Sequence, residues 1–454
     1  MRAVPVVAVA LAAAVVAGFS TARSHQPPAR LPDVVAPPAA PEKGLAPYGA
    51  GPAPFAPTPS TSCAASACHG GGAVGKPGSE HSTWAREAAP SATGDPHAKA
   101  YSVLFNPVSV RMGQLLGFDG VKEPLPHENT KCLTCHAPVA GTKQSGNREQ
   151  FLSEGVGCGG CHGPAEKWIA EHTLPSWKAR SNQSKWEDFG FVPTKNLVAR
   201  TLNCASCHVG DRDRDMNHDF IAAGHPRLAF EAASFHAQAG YRKHWTEKGS
   251  ALDFEVRVWV IGQVATLRAA VNLLYERAKK TEPPSAAHPW PEFSGYSCYS
   301  CHQKIGDPRL RGEFSAAARA PGTPGWEVWS NTGVGVAAKT CGLAFPGVSS
   351  PQLPKLEGLR KVMGEKRAPR AADVAARALE ARAELDRWLA QLQAAEDKNP
   401  GAVADEVPRR IARQLVSGAL SADGKLTDHD WDALAATYLG TASMFTAAGG
   451  KAGR

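Results

Sequence analysis

Ten of the eleven cysteines in this chain fall into five short motifs, each closed by a histidine directly after its second cysteine. Four have the spacing Cys-x-x-Cys-His: Cys132/Cys135/His136, Cys158/Cys161/His162, Cys204/Cys207/His208 and Cys298/Cys301/His302. The first is stretched, with Cys63, Cys68 and His69 in the run Cys-Ala-Ala-Ser-Ala-Cys-His. Two thiols can add to the vinyl groups of a haem while the next histidine binds the iron. Zinc ribbons also pair cysteines, but they have no need of a histidine at that place every time. A thioredoxin-like redox pair occurs once, beside a βαβ pattern that is missing around these motifs. A disulfide framework leaves the histidines unexplained. The spacing therefore predicts five covalently attached haem c groups, or four if the first motif is unused. If Cys63 alone is idle, Cys68 can hold that haem by a single thioether. Cys341 has no partner left over and reads as a buried structural thiol.

Charge and composition have to be read with those cofactors in mind. The formal net charge is +8, which taken alone would suggest nucleic acid or anionic lipid. Five haems would bring about ten propionates, offset by roughly one positive charge per ferric porphyrin, so the loaded protein is near neutral. No block of Lys and Arg interleaved with aromatics stands out, and no nucleic-acid partner is expected. Haem discs replace side-chain core, so 44 glycines and 36 prolines are compatible with a folded chain.

The N-terminus reads as an export signal over residues 1–24: Arg2, an apolar stretch from Val4 to Phe19, then small residues suited to cleavage. An uncleaved anchor is the other reading of the same stretch. Covalent haem attachment takes place outside the bacterial cytoplasmic membrane, so the expected location is periplasmic, soluble or tethered. Residues 25–60 are rich in Pro and Ala and predict an extended linker. Every haem motif then lies within residues 61–310, the expected pentahaem domain, and 311–454 is expected to form a C-terminal loop and helical region.

Within the haem region, Val256, Val260, Val264, Leu267, Val271 and Leu274 recur at helical spacing and predict a helix from Leu252 to Lys280, one face on haems. Arg257, Arg268 and Asn272 argue against a membrane span there. Further on, Pro321–Gly347 reads as loop, while Ala371–Glu396, Val407–Leu420 and Asp428–Phe445 read as helices, with Asp428-His429-Asp430 a helix cap rather than a calcium loop.

Each haem iron has a second axial position. A second histidine there gives a low-potential electron-transfer site, whereas an open position admits a small ligand. Besides the motif histidines, the haem region holds His81, His97, His127, His172, His218, His225, His236, His244 and His288. Exposure is the default expectation for His81, His236 and His288. His25 and His429 lie outside the region and are not expected to be ligands.

The run Gly155-Val156-Gly157-Cys158-Gly159-Gly160-Cys161-His162-Gly163-Pro164 with His172 beyond it resembles the cytochrome c-554 family, as does Trp84 followed by Asp95-Pro96-His97 and Tyr101. The segment Asn217-His218-Asp219 to Gly224-His225-Pro226-Arg227-Leu228 resembles multihaem relatives of that family. The resemblance implies a mainly α multihaem cytochrome c fold, helices and long loops wrapped around closely stacked haems, here with a C-terminal helical cap. It implies electron relay in the periplasm. By position it assigns His172 to the haem of His69 and His97 to the haem of His162. His225 is then expected at the haem of His208 or His302, with His218 or His244 at the other. The haem of Cys132 matches the position without a second protein ligand, where His127 is the near candidate to fill it. The chain departs from the family in having five motifs against four, a stretched first motif and a longer C-terminal region.

Three functions follow as expectations. The first is a non-enzymatic electron carrier between redox partner proteins, with no catalytic residues. The second is an oxidoreductase acting on hydroxylamine, nitric oxide or nitrite at a five-coordinate haem. No Cys-x-x-Cys-Lys motif is present, which weakens the nitrite case. The third is the haem subunit of a membrane respiratory complex.

Overall fold

The computed structural model describes residues 55–85, 94–140, 148–242, 244–247, 249–281, 288–302, 323–420 and 430–450. The expected signal segment, most of the expected linker, His25 and His429 lie outside the described residues. The fold is mainly helical. Among the described residues the only β-pairings are two isolated bridges, Asp211 with Arg214 and Tyr296 with Trp326.

Three of the motifs end helices. They are α1 (Thr130–His136), α2 (Cys158–His162) and α3 (Leu197–His208). Asparagine caps set two of the starts: Asn129 accepts from the Lys131 amide at 3.0 Å, and Asn196 from Val198 and Ala199 at 3.0 and 3.2 Å. Asn217 does the same for α4 (His218–Ala223), accepting from the Phe220 amide at 3.1 Å. The elements of this half are short, and its apolar clusters are small, for example Leu104, Leu133, Ala137, Ala140, Phe151 and Leu152.

The long helix α5 spans Ala251–Lys280. Ser250 and Asp253 form a capping box, each side chain bonded to the other's amide at 3.1 and 2.8 Å. By length and composition it could cross a membrane, but 78% of its apolar window is buried inside the protein. The expectation of one haem-facing stripe is corrected here. Every residue from Val256 to Gly262 is buried, so the helix is covered all round. One side meets α3, which carries the fourth motif, and the others meet C-terminal helices.

The C-terminal helices are α6 (Val328–Thr332), α7 (Val334–Ala344), α8 (Pro354–Glu365), α9 (Ala371–Asp397), α10 (Glu406–Ala419) and α11 (Trp431–Ala447), of which α8 packs on α9. The stretch read as loop thus contains α6 and α7. Its glycines hid an apolar face at helical spacing, Val334, Ala337, Cys341 and Ala344, all buried against the core. In α8, which has no sequence forecast, Leu356, Leu359 and Met363 occupy the same kind of face. α11 starts from Asp430, whose carboxylate accepts from the amides of Asp432 and Ala433. Helices α3, α5 and α7–α11 contribute to one core that includes Trp259, Leu267, Trp388 and Leu389. Polar ties cross it: Arg268 pairs with Asp386 at 2.7 Å, and Asn196 donates to Asp397 at 2.9 Å. Cys341 is fully buried, and burial pushes its thiol up.

Candidate functional site

Each of the five motif histidines faces one other histidine across a gap of nearly constant width. His69 and His172 have ring centroids 6.2 Å apart, His208 and His97 6.1 Å, and His162 and His244 6.4 Å. His136 and His225 are 6.4 Å apart, as are His302 and His218. Two imidazoles that share one metal ion through Nε2, each at about 2 Å, place their centroids roughly 6 Å apart. Among the described residues, no group of three or more His, Cys, Asp or Glu could hold a bare ion. Each site thus presents two imidazole nitrogens and two thiols, a donor set that would suit a haem c, which brings four nitrogens of its own.

The rings are held from behind. Glu80 accepts from His69 Nδ1 at 2.9 Å, and Asp95 from His97 Nδ1 at 2.8 Å. Backbone carbonyls do the same elsewhere: Ala100 for His136 at 2.6 Å, Ile169 for His172 at 2.7 Å, and Pro226 for His225 at 2.8 Å. Carbonyl oxygens can only accept, so the proton sits on Nδ1 in these rings and leaves Nε2 as a lone-pair donor. Burial, with some help from the charge of His244, pushes His162 down to about 3, and burial takes His208 down to about 4. Both are therefore neutral and able to ligate. Phe230 stacks on the His208 ring and Phe235 meets its edge, at 5.5 and 5.1 Å.

Two of these pairs, His69 with His172 and His302 with His218, fall among the expected ones, and three do not. His97 meets His208, not His162, whose ring neighbours are His244, Phe191 and Trp245. His225 meets His136, not His208 or His302. His127, the candidate for that position, stacks instead on Phe105 at 4.5 Å. His172 faces His69, and His218 faces His302. The 3₁₀ turn Pro96–Lys99 has its His97 carbonyl tied to the Val156 amide at 3.0 Å, next to the third motif, yet its His97 ring faces His208 of α3. His81 is half-buried against Trp84 and His288 is exposed. His236 is buried at 1% exposure, contrary to the expectation of exposure, with Nδ1 donating to Ala232 at 2.6 Å.

The motifs themselves adjoin one another. The Cys63 and Cys158 thiols are close enough to hydrogen-bond, as are Cys135 and Cys207. As free thiols they split: that bond lowers Cys158 to about 7 and Cys207 to about 6, while their partners go up. Asn203 of α3 donates to the Gly160 and Cys161 carbonyls at 3.3 and 3.2 Å. Arg214 joins the second and fourth motifs through Thr134 O at 2.8 Å and Ser206 at 3.2 Å. Cys161, Cys204 and Cys207 are half-buried, whereas Cys68, Cys298 and Cys301 are exposed. Gly163 follows His162 at φ +80, and a Cβ there would run into the Gly190 carbonyl, so the third motif needs its glycine.

Residues 62–163 match the family model described as Cytochrome c554 and c-prime. That span holds the first three motifs together with Trp84 and His97, and over it the chain resembles the cytochrome c-554 family. Neither the curated proteins nor the solved structures contain a match. The family match supports covalently bound haem c and a c-type cytochrome role in electron transfer.

Proposed function

We propose that this chain is a pentahaem c-type cytochrome that relays electrons between protein redox partners outside the cytoplasmic membrane. The observation that carries the reading is the set of five facing histidine pairs, at 6.1–6.4 Å, each beside its own pair of cysteines. Haem held at these places supplies one-electron exchange between ferric and ferrous iron. The chain's own residues do the rest. Paired thiols fix each site covalently. At His69, His97, His136, His172 and His225 the Nδ1 hydrogen bonds fix the imidazole planes and keep Nε2 free.

Adjacent motifs support relay over distance, since the first touches the third, the third the fourth, and the fourth the second. The exposed motif cysteines, Cys68 at one site and Cys298 and Cys301 at another, mark where partner proteins would approach. Such contacts are small and transient. A periplasmic location follows from where haem is attached and from the apolar N-terminal stretch.

The intact mass of protein matured with a cytochrome c assembly system tests this. Five haems per chain are expected, and Cys298→Ala with Cys301→Ala should leave four. A wild-type mass with three haems or fewer, or a variant that still carries five, would sink the reading. A cell fractionation that leaves the haem protein in the cytoplasm would remove the proposed location.

A further inference from the structure

We propose that the segment Asn217–Pro226 is a two-ended clamp. Its His225 supplies the second axial nitrogen at the site of Cys132, Cys135 and His136, and its His218 supplies that at the site of Cys298, Cys301 and His302. The inference rests on the haem reading above and deepens it. At the position that the cytochrome c-554 resemblance leaves without a second protein ligand, this chain provides one.

The geometry at both ends is specific. His225 lies 6.4 Å from His136 with the rings nearly perpendicular, at 89°. Both rings have Nδ1 tied to a backbone carbonyl, Ala100 and Pro226, so both have Nε2 free. His218 lies 6.4 Å from His302 with the rings nearly parallel, at 18°. The two ligands are joined by α4 and one sharp turn. Gly224 ends the helix at φ +116, which L side chains adopt at a cost, and the His225 amide then donates to Phe220 at 3.0 Å.

The clamp is fixed on both sides. Phe220 packs on Phe118 at 6.1 Å, and Gly224 sits against Met112. At the other end the His218 amide donates to Glu292 at 2.9 Å, and Glu292 also caps the turn that leads into Cys298. Arg227, just beyond, reaches the Cys298 sulfur at 3.8 Å and pairs with Asp432 of α11. The element that completes the fifth site therefore also closes the second. With His225 in place, the second site has no axial position for nitric oxide, hydroxylamine or nitrite, and substrate chemistry there is blocked.

Electron paramagnetic resonance on the ferric holoprotein and its His225→Ala, His218→Ala and His127→Ala variants tests the clamp, with haem number followed by mass. Perpendicular imidazole planes give strongly anisotropic low-spin signals, and near-parallel planes give ordinary rhombic ones. His225→Ala should lose one strongly anisotropic signal and gain one high-spin haem, which added imidazole returns to low spin. His218→Ala should lose a rhombic signal instead, and His127→Ala should change nothing. If His225→Ala misfolds, His225→Met keeps a ligand and should raise the potential of one haem alone. Wild-type protein with five haems, one of them already high-spin, would overturn the clamp. So would a five-haem His225→Ala protein with unchanged spectra, or a His225→Met protein with unchanged potentials. A wild-type haem count of three or fewer would instead strike the parent reading.

Discussion

The imidazole that meets an iron is only half of an axial ligand; the group behind it sets its electron density. His97 has the carboxylate of Asp95 at its back, and Asp95 is 5% exposed. Burial pushes that carboxyl up, but the hydrogen bond and charge of His97 outweigh it and hold the group below the usual range. A carboxylate there makes the ligand more basic and favours ferric iron. Asp95→Asn should therefore raise the potential of one haem by ~60 mV, a tenfold change for a one-electron couple. Spectroscopic redox titration would show it, and five unmoved potentials would contradict it. Glu80 behind His69 should act in the same direction more weakly, since its side chain is 30% exposed. At this scale the motif cysteines and their histidines are legible in the sequence, because attachment chemistry is local. The facing partners are not local. His97 and His208 are far apart in the chain, and only the tertiary fold brings their rings together. Asp95 stands two residues ahead of His97, but its hydrogen bond to Nδ1 depends on the local turn and is not legible from spacing.

Among the elements, α5 ties the motif-bearing half to the C-terminal helices. Its pattern of valines and leucines was legible, and so was its length. Its all-round burial is not, because α6 and α7, two of the helices that cover it, are written in Gly-rich sequence that masks their apolar faces. Truncating Leu389 of α9, which is fully buried in the shared core, should cost ~2–5 kcal/mol. The loss should be felt at the fourth motif, since α3 belongs to the same core. Equilibrium unfolding followed at the haem band would report both together, and a haem transition untouched by Leu389→Ala would contradict the shared core. α5 also carries Glu255, which burial pushes up to about 7 although Arg242 lies 3.9 Å away and opposes the shift. A carboxyl with a raised folded pKa contributes stability that is present at acid pH and is lost as pH rises through about 7. Glu255→Gln should therefore gain in melting temperature relative to wild type at about pH 8 compared with about pH 5. An equal difference at both would show that Glu255 has no part in the pH dependence.

In the molecule as a whole, the site and the scaffold are divided along the chain. The motif half has short elements and small apolar clusters, and the large core belongs to α3, α5 and the C-terminal helices. This is the division expected if prosthetic groups supply the missing apolar volume of the first half. Haem attachment is legible in the sequence because its motifs are short and contiguous. The form of the C-terminal region was not, since its packing partner α5 lies on the far side of the fifth motif in sequence. In the proposed haem-loaded protein five irons each sit between two histidines, two of those pairs perpendicular (84° and 89°) and two near-parallel (15° and 18°). The most direct test is quantitative electron paramagnetic resonance of the oxidised wild-type protein. Five low-spin haems per chain are expected, two of them strongly anisotropic, with no high-spin ferric signal. A stoichiometric high-spin haem would show an open iron and contradict that arrangement.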